Sequence, residues 1–259
     1  MRKSAKSPLL IVWVLHCLFF ITLITAFSSC TTAPQPIPTY SSSSSRPKPA
    51  KNRRTLIHTI APGETLWRLS KMYSVSMASI LKANHIRKND PLKIGQDIQI
   101  PHAAKLTHVI SFFPSHKWRY IVIHHSASDE GSSLDIHYSH LNRGWDGAGY
   151  HFIIDNATRG KQDGQIETTP RWLKQRDGAH CKAADMNTKA IGICLIGNFS
   201  EDKVSRQQID SLVYLVNELR DYYNIPQKNI MGHGQVPGAK TECPGKYFPW
   251  NKFKRKLQN

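Results

Sequence analysis

The chain has 259 residues, of which 35 are Lys or Arg and 18 are Asp or Glu, so its formal net charge is +17. Its length allows one or two domains, and its 40% of hydrophobic residues excludes collagen-like and wholly disordered chains. The charge is uneven, because residues 1–54 hold eight basic and no acidic side chains. Since this basic part does not have the composition of a folded domain, nucleic acid is not expected as a partner.

The N-terminus has the pattern of an export signal. Basic residues precede an apolar run from Leu9 to Phe27, which predicts a secretory signal over residues 1–29, although a run of this length could also stay as a membrane-spanning anchor. Small residues before Cys30 and a polar stretch after it resemble a bacterial lipoprotein lipobox, with Phe27 in place of the usual Leu. The resemblance implies lipidation of Cys30 and a membrane-anchored protein in the cell envelope, and either alternative places the remaining chain outside the cytoplasm.

Residues 30–54 are rich in Pro, Ser, Thr, Lys and Arg and include five consecutive serines. Such a segment has too little apolar surface to offset its ordering entropy, so we expect a disordered tether. Its basic residues could lie against anionic headgroups or cell-wall polymers, or it could be a solvated spacer.

A small module is predicted over residues 55–102. The alternating residues 56–60 predict a strand, and Thr65 is a suitable N-cap for a first helix. Ser76 can cap a second helix that ends near Asn84, after which the chain returns as a turn and a strand. The order is therefore βααβ, followed by a linker over residues 103–117.

The stretches HTIAPGETLWRLSKMYSVSMASILKANHI and PLKIGQDIQIP are similar to a LysM domain. The resemblance implies binding of N-acetylglucosamine-containing glycans such as peptidoglycan. The implied groove lies between the first strand–helix loop and the second helix–strand loop, with Gly63, Thr65 and Asn84 as candidate contacts. Trp67 is expected in the core of any such fold.

Strands and helices alternate over residues 118–259. The predicted strands are RYIVIHHSA, GYHFIID, GQIETT, AIGICLIG and NIMGH. Helices are predicted over residues 134–141, over 206–223, where apolar residues recur at helical spacing, and at the C-terminus. This order predicts one α/β domain with a mixed central sheet and flanking helices.

Potential metal ligands fall at strand ends. His124 and His125 close the first of these strands, His233 closes the last, and Cys243 follows in a Pro-Gly loop. Two imidazoles and one thiolate from separate elements match the preference of zinc and leave a fourth position for water. A structural zinc site would more often show paired C-x-x-C motifs, and the sequence has none.

Four stretches, YIVIHHSAS, NRGWDGAGYHFIID, GAHCKAADMNTKAIGICLIGNF and MGHGQVPGAKTECPGKYF, resemble type 2 N-acetylmuramoyl-L-alanine amidases, which share a fold with peptidoglycan recognition proteins. The resemblance implies Zn²⁺ held by His124, His233 and Cys243. It also implies hydrolysis of the amide bond between N-acetylmuramic acid and L-alanine. Tyr150 matches a tyrosine near the metal that can orient water or relay a proton, and the alternative is a packing residue.

The same resemblance assigns further residues to the site. Either Thr241 or Lys240 is expected to stabilise the developing oxyanion. His180 is expected to line the cleft, or to be an exposed loop histidine, and Asn187 to contact the stem peptide. Cys194 stands where some relatives have a glutamate, which removes that route to a general base and places more weight on the tyrosine.

Three functional classes follow from these patterns. The first is a membrane-tethered amidase that its LysM domain holds on the wall, the second a peptidoglycan-binding protein without catalysis, and the third a structural envelope lipoprotein. The presence of all three candidate ligands favours the first. The sequence indicates nothing about the oligomeric state.

Overall fold

The computed structural model describes residues 39–42 and 54–257, all of which belong to one compact unit. The signal predicted over residues 1–29 and the lipidation site predicted at Cys30 lie outside the described residues. Among the residues that are described, every helix is too short or too polar to cross a membrane.

The described residues form nine strands and seven α-helices. The strands are β1 (Thr39–Ser42), β2 (Arg54–Thr59), β3 (Asp97–Ala103), β4 (Val109–Phe112), β5 (Tyr120–His125), β6 (Phe152–Ile154), β7 (Ile166–Thr168), β8 (Ala190–Leu195) and β9 (Ile230–Gly232). The helices are α1 (Leu66–Met72), α2 (Met77–Ala83), α3 (Ser133–Leu141), α4 (Pro170–Leu173), α5 (Met186–Lys189), α6 (Arg206–Tyr223) and α7 (Trp250–Leu257).

The N-terminal module has the predicted βααβ order, with β2 and β3 paired antiparallel. Thr65 and Ser76 cap α1 and α2, because each side-chain oxygen accepts a hydrogen bond from an N–H of the first turn. The prediction that Trp67 lies in the core is wrong, since its side chain is 36% exposed whereas the neighbouring Arg68 is buried. A contact outside the module, described below, determines which face of α1 is buried.

The larger part has a five-stranded sheet with the order β7-β6-β8-β5-β9. β5 is parallel to both β8 and β9, β6 is parallel to β8, and β7 is antiparallel to β6 at the edge. α6 begins at a capping box formed by Ser205 and Gln208 and buries its apolar face against this sheet. The predicted mixed sheet with flanking helices is confirmed.

Residues 103–117, predicted as a linker, contain regular structure. They contain β4, in which Ile110 and Phe112 are buried in the main core, and the indole N–H of Trp172 donates to the carbonyl of Ser111 at 2.7 Å. The backbone of β1 pairs with β4, so residues 39–42 of the predicted tether are ordered as a strand. The apolar residues of β4 explain the difference, because burying them stabilises the segment against the main core.

The N-terminal module covers the edge strand β7. The guanidinium of Arg68 donates to the carbonyl of Ile166 at 3.5 Å. The ammonium of Lys161 donates to the carbonyl of Thr59 at 2.9 Å. It also forms an ion pair with Glu167 at 2.9 Å, and the side chains of Lys161 and Glu167 are each 1% exposed. An edge strand that would otherwise be open to pairing is therefore closed by the module.

Further charged side chains extend this contact. Glu64 accepts a hydrogen bond from Nε2 of His58 at 2.7 Å, and Nδ1 of His58 lies 2.9 Å from the hydroxyl of Tyr73. Burial alone would raise the pKa of Glu64, but His58 beside it, together with the charge of Lys161, holds that pKa below its usual value. We refer to the buried group at this contact as the boundary cluster: His58, Glu64, Arg68, Lys161 and Glu167.

Candidate metal centre and cleft

Strand alternation separates the two adjacent histidines at the end of β5. His124 is 1% exposed and lies on the face opposite to Ile123. His125 points the other way, where its Nδ1 accepts the backbone N–H of Phe199 at 3.1 Å. The backbone N–H of His125 donates to Sγ of Cys243 at 3.4 Å, so both residues contribute to the site although only one ring points into it.

His124, His233 and Cys243 converge. One ligand atom from each lies within 4.8 Å of the others, and Nδ1 of His124 is 3.7 Å from Sγ of Cys243. His233 directly follows β9, and its ring centroid is 4.7 Å from that of His124. The three residues predicted as ligands therefore form a group that could hold a metal ion.

A close approach between two backbone segments places Cys243 beside the two histidines. The N–H of Gly234 donates to the carbonyl of Cys243 at 2.7 Å, and a Cβ on Gly234 would lie 2.4 Å from the carbonyl oxygen of Thr241. Glycine is therefore needed for this approach. The hydroxyl of Thr241 accepts the N–H of Cys243 at 3.2 Å, and both Thr241 and Lys240 are exposed.

Burial keeps the three candidate metal ligands neutral. It lowers the pKa of His124 well below 6.5, with smaller effects from the neighbouring imidazoles, and it also lowers the pKa of His233. Burial raises the pKa of the Cys243 thiol to about 11. Neutral imidazoles present the lone pairs that a metal needs, and a bound cation would displace the thiol proton.

Tyr150 stands beside the convergent group. Its ring centroid is 5.1 Å from that of His124, and its hydroxyl is hydrogen-bonded to Cys194. Burial, with the nearby sulfur atoms of Cys194 and Cys243, raises the pKa of Tyr150 well above its usual value. The residue is therefore a neutral phenol whose O–H can donate, rather than a phenolate base.

Two cavities flank the ligands. One of about 390 Å³ is lined by His233, His180 and Asn187, and also by Trp145 and Arg171. The other, of about 360 Å³, is lined by Tyr150 together with side chains of α3 and of the loop after β5. The rings of His233 and Tyr150, one from each cavity, both lie near His124, with centroids 4.7 Å and 5.1 Å from its own.

Two residues predicted to bind substrate also hold the site together. Nδ1 of His180 is 3.0 Å from Nε2 of His124. The side-chain oxygen of Asn187 accepts the N–H groups of His180 and Cys181, each at 2.7 Å. Both residues line the cavity, yet their polar atoms are largely engaged within the protein.

The three residues predicted to contact glycan in the N-terminal module differ in their availability. The amide of Asn84 donates to a carbonyl of α2 at 2.7 Å and to that of Gln99 at 2.8 Å, and it accepts from Gln99 N–H, so it ties α2 to β3. Gly63 has a φ of +87°, and a Cβ there would lie 2.6 Å from Leu173. Thr65 is exposed, although its hydroxyl also caps α1.

The sequence reasoning missed several residues of the cleft. Trp145 and Arg171 line the first cavity, and Arg171 is oriented by donating to the carbonyls of Ala148 at 2.6 Å and Asp177 at 2.7 Å. One usable signal was Gly192, which interrupts an otherwise apolar strand. A glycine in a strand often marks a close approach, and a Cβ here would lie 2.4 Å from the ring of His180.

Comparison with known families gives two matches. The profile of the N-acetylmuramoyl-L-alanine amidase family matches residues 114–246, and the LysM domain profile matches residues 58–101. Peptidoglycan-recognition protein SC2 of Drosophila melanogaster is 31% identical over 145 residues, which cover 52% of this chain and 72% of that protein. The endolysin of Enterobacteria phage K11 is 30% identical over 115 residues, which cover 42% of this chain and 67% of the endolysin.

Among solved structures, the chain is similar to the N-acetylmuramoyl-L-alanine amidase LysC from Clostridium intestinale URNW. The sequence identity is 36%, the match covers 56% of this chain and 89% of that one, and the TM-score is 0.46.

Proposed function

Because the chain belongs to the N-acetylmuramoyl-L-alanine amidase family and also carries a LysM domain, we propose that it is a zinc-dependent enzyme acting on peptidoglycan. It hydrolyses the amide bond between the lactyl group of N-acetylmuramic acid and L-alanine of the stem peptide. The observation that carries this proposal is the convergence of His124, His233 and Cys243 within 4.8 Å of one another beside a cavity.

The donor set fits zinc. Two neutral imidazole nitrogens and one sulfur suit this borderline-soft ion, and three protein ligands are the number typical of catalytic zinc sites. His124, His233 and Cys243 would hold it. When bound, zinc supplies Lewis-acid chemistry, since it polarises a carbonyl and makes water more acidic.

The protein's own groups complete the reaction. Water oxygen bonds to the lactyl carbonyl carbon, the C–N bond breaks, and the leaving amine of L-alanine takes up the protons that the water gives up, which leaves a lactyl carboxylate. Tyr150 keeps its proton because its pKa is raised, and its O–H, which is hydrogen-bonded to Cys194 in the free protein, would turn to donate to an oxygen at the reacting centre. Thr241 or Lys240, both exposed and close in sequence to Cys243, supplies a second donor to the developing oxyanion.

The LysM domain holds the enzyme on its substrate. Attachment to glycan raises the local concentration of scissile bonds, so a weak interaction suffices. Thr65 and the backbone at Gly63 are the candidate contacts, and Asn84 supports the adjoining loop through its hydrogen bonds to α2 and β3.

We also propose that the chain is exported and lipidated at Cys30, on the basis of the lipobox-like sequence. The test is incorporation of labelled palmitate in cells that express the full chain or Cys30→Ala. Label in the first and none in the second supports the anchor. Equal absence of label overturns it.

Purified full-length protein in detergent, incubated with peptidoglycan sacculi, tests the activity. Mass spectrometry should detect free stem peptides with an N-terminal L-alanine, which disappear with a chelator and return with zinc. Release that resists the chelator would show that the metal assignment is wrong. Protein that pellets with sacculi without releasing peptides would be a peptidoglycan-binding protein instead.

A further inference from the structure

The buried imidazole of His180 joins the metal group to the backbone of β8. Its Nδ1 lies 3.0 Å from Nε2 of His124, and its Nε2 lies 3.3 Å from the carbonyl oxygen of Ala190. A carbonyl oxygen only accepts, so Nε2 of His180 carries the proton. In a neutral ring Nδ1 of His180 is then an acceptor, and the donor facing it is Nε2–H of His124.

Because a neutral imidazole carries a single N–H and that of His124 is on Nε2, Nδ1 of His124 has no proton. That atom faces Sγ of Cys243 at 3.7 Å, on the side where His233 also converges. A metal-ligating histidine commonly donates its other N–H to a fixed acceptor, which sets both the tautomer and the orientation of the ring. Here the acceptor is a second imidazole.

The surroundings of His180 fix its position. A Cβ on Gly192 would lie 2.4 Å from its ring, and a Cβ on Gly178 would lie 2.3 Å from it, so both glycines make room for the imidazole. The side-chain oxygen of Asn187 accepts the backbone N–H of His180 at 2.7 Å. The ring is therefore held at its backbone, at its sides and at both nitrogens.

We propose that His180 is a positioning residue, which holds His124 in the tautomer that presents Nδ1 to the metal, rather than a residue that binds substrate. The inference deepens the proposed function and rests on it for the identity of the metal. The tautomer of His124 in the metal-free protein depends only on the contacts described.

The first test is the ¹⁵N spectrum of the histidine rings in metal-free full-length protein. The expected result is a proton on Nε2 of His124 and on Nε2 of His180. A proton on Nδ1 of His124 would overturn the proposal, whatever the activity of the enzyme.

The second test compares zinc affinities, measured by competition with a chromophoric chelator. His180→Ala should weaken zinc binding roughly 10- to 100-fold, as is typical for loss of an outer-shell partner. His180→Asn, whose side-chain oxygen can replace Nδ1 as the acceptor, should recover most of the affinity. The exposed His116→Ala serves as the control for removing an imidazole.

Steady-state kinetics separates positioning from substrate binding. With zinc saturating, His180→Ala should lower kcat with little change in KM. An unchanged zinc affinity together with a raised KM would show that His180 binds substrate, and the proposal would fail. Wild-type protein that binds zinc with the expected tautomer but releases no stem peptides would contradict the proposed function and leave the positioning role intact.

Discussion

Two polar clusters in the described part of the chain, both largely shielded from solvent, differ in how their charges are balanced. In the histidine cluster, formed by His124, His180, His233 and Cys243, burial lowers the imidazole pKa values and raises that of the thiol, so the groups are neutral. In the boundary cluster, Lys161 pairs with Glu167 and His58 with Glu64. A buried group of neutral donors can accept a cation from outside, whereas a group that is already compensated internally stabilises the contact between two parts of the chain.

Removing a ligand should have the largest effect. Cys243→Ser should lower stem-peptide release by more than about 100-fold, since the loss of an outer-shell partner alone can reach that size. The free energy of unfolding, measured in urea with chelator present, should change little, because Cys243 is only partly buried. Cys243→Asp is the matched variant, and it should retain part of the zinc affinity because a carboxylate can replace the thiolate. Equal activity in wild type and Cys243→Ser would remove Cys243 from the site.

Breaking the boundary cluster should instead destabilise the fold. Lys161→Met leaves Glu167 buried without its partner, which should lower the free energy of unfolding by about 3–5 kcal/mol. Urea denaturation should show one transition, and zinc affinity should be unchanged in the folded protein. The exposed Lys228→Met is the control, with an expected change within about 0.5 kcal/mol.

The double variant Lys161→Met/Glu167→Leu sharpens this prediction. Replacing a buried ion pair by apolar residues often costs little, so part of the lost stability should return. A separate early transition of the LysM domain in wild type would contradict a cooperative boundary, and a Lys161→Met protein as stable as wild type would contradict the ion pair.

Crowding the imidazole of His180 should affect both stability and metal binding. A Cβ in Gly192→Ala would lie 2.4 Å from a ring that is held at both nitrogens, so the free energy of unfolding should fall by about 1–3 kcal/mol. Zinc affinity should fall as well. Ile193→Val in the same buried strand should cost about 0.5–1.5 kcal/mol without changing zinc affinity. Equal zinc affinities in the two variants would show that the close approach at Gly192 does not matter to the metal.

The convergence of His124, His233 and Cys243 could be anticipated from the sequence, because these candidate ligands follow strands and stand in recognisable motifs. Alternation along β5 also separated His124 from His125 correctly. The same local rules predicted the caps at Thr65 and Ser76, since these depend only on the residues of the first helical turn.

The boundary cluster could not be predicted in the same way. Lys161 and Ile166 lie about 100 residues after Thr59 and Arg68, the LysM residues that they contact. A charged residue such as Lys161 or Arg68 carries no local signal that another domain will bury it. The exposure of Trp67 has the same origin, because α1 turns Arg68 toward β7. The strand within the linker at residues 103–117 could not be predicted either, since a short apolar stretch between two domains does not reveal that both β1 and the main core will cover it.

The smallest expected effect concerns His108, an imidazole made neutral by burial outside the histidine cluster. Burial, with smaller effects from Arg68 and Lys105, lowers its pKa from 6.5 to about 4, and its ring stacks on Tyr214 at 5.1 Å. The unfolded chain therefore binds this proton more readily, so stability is full above about pH 6.5 and falls as the pH drops toward 4. In metal-free protein, His108→Phe should make the decline of unfolding free energy between pH 6.5 and 4 less steep and leave the slope between pH 7 and 8 unchanged. Parallel curves over the acid range would show that His108 is not the group responsible. A shallower curve with unchanged zinc affinity would show that burial makes His108 neutral without making it a metal ligand.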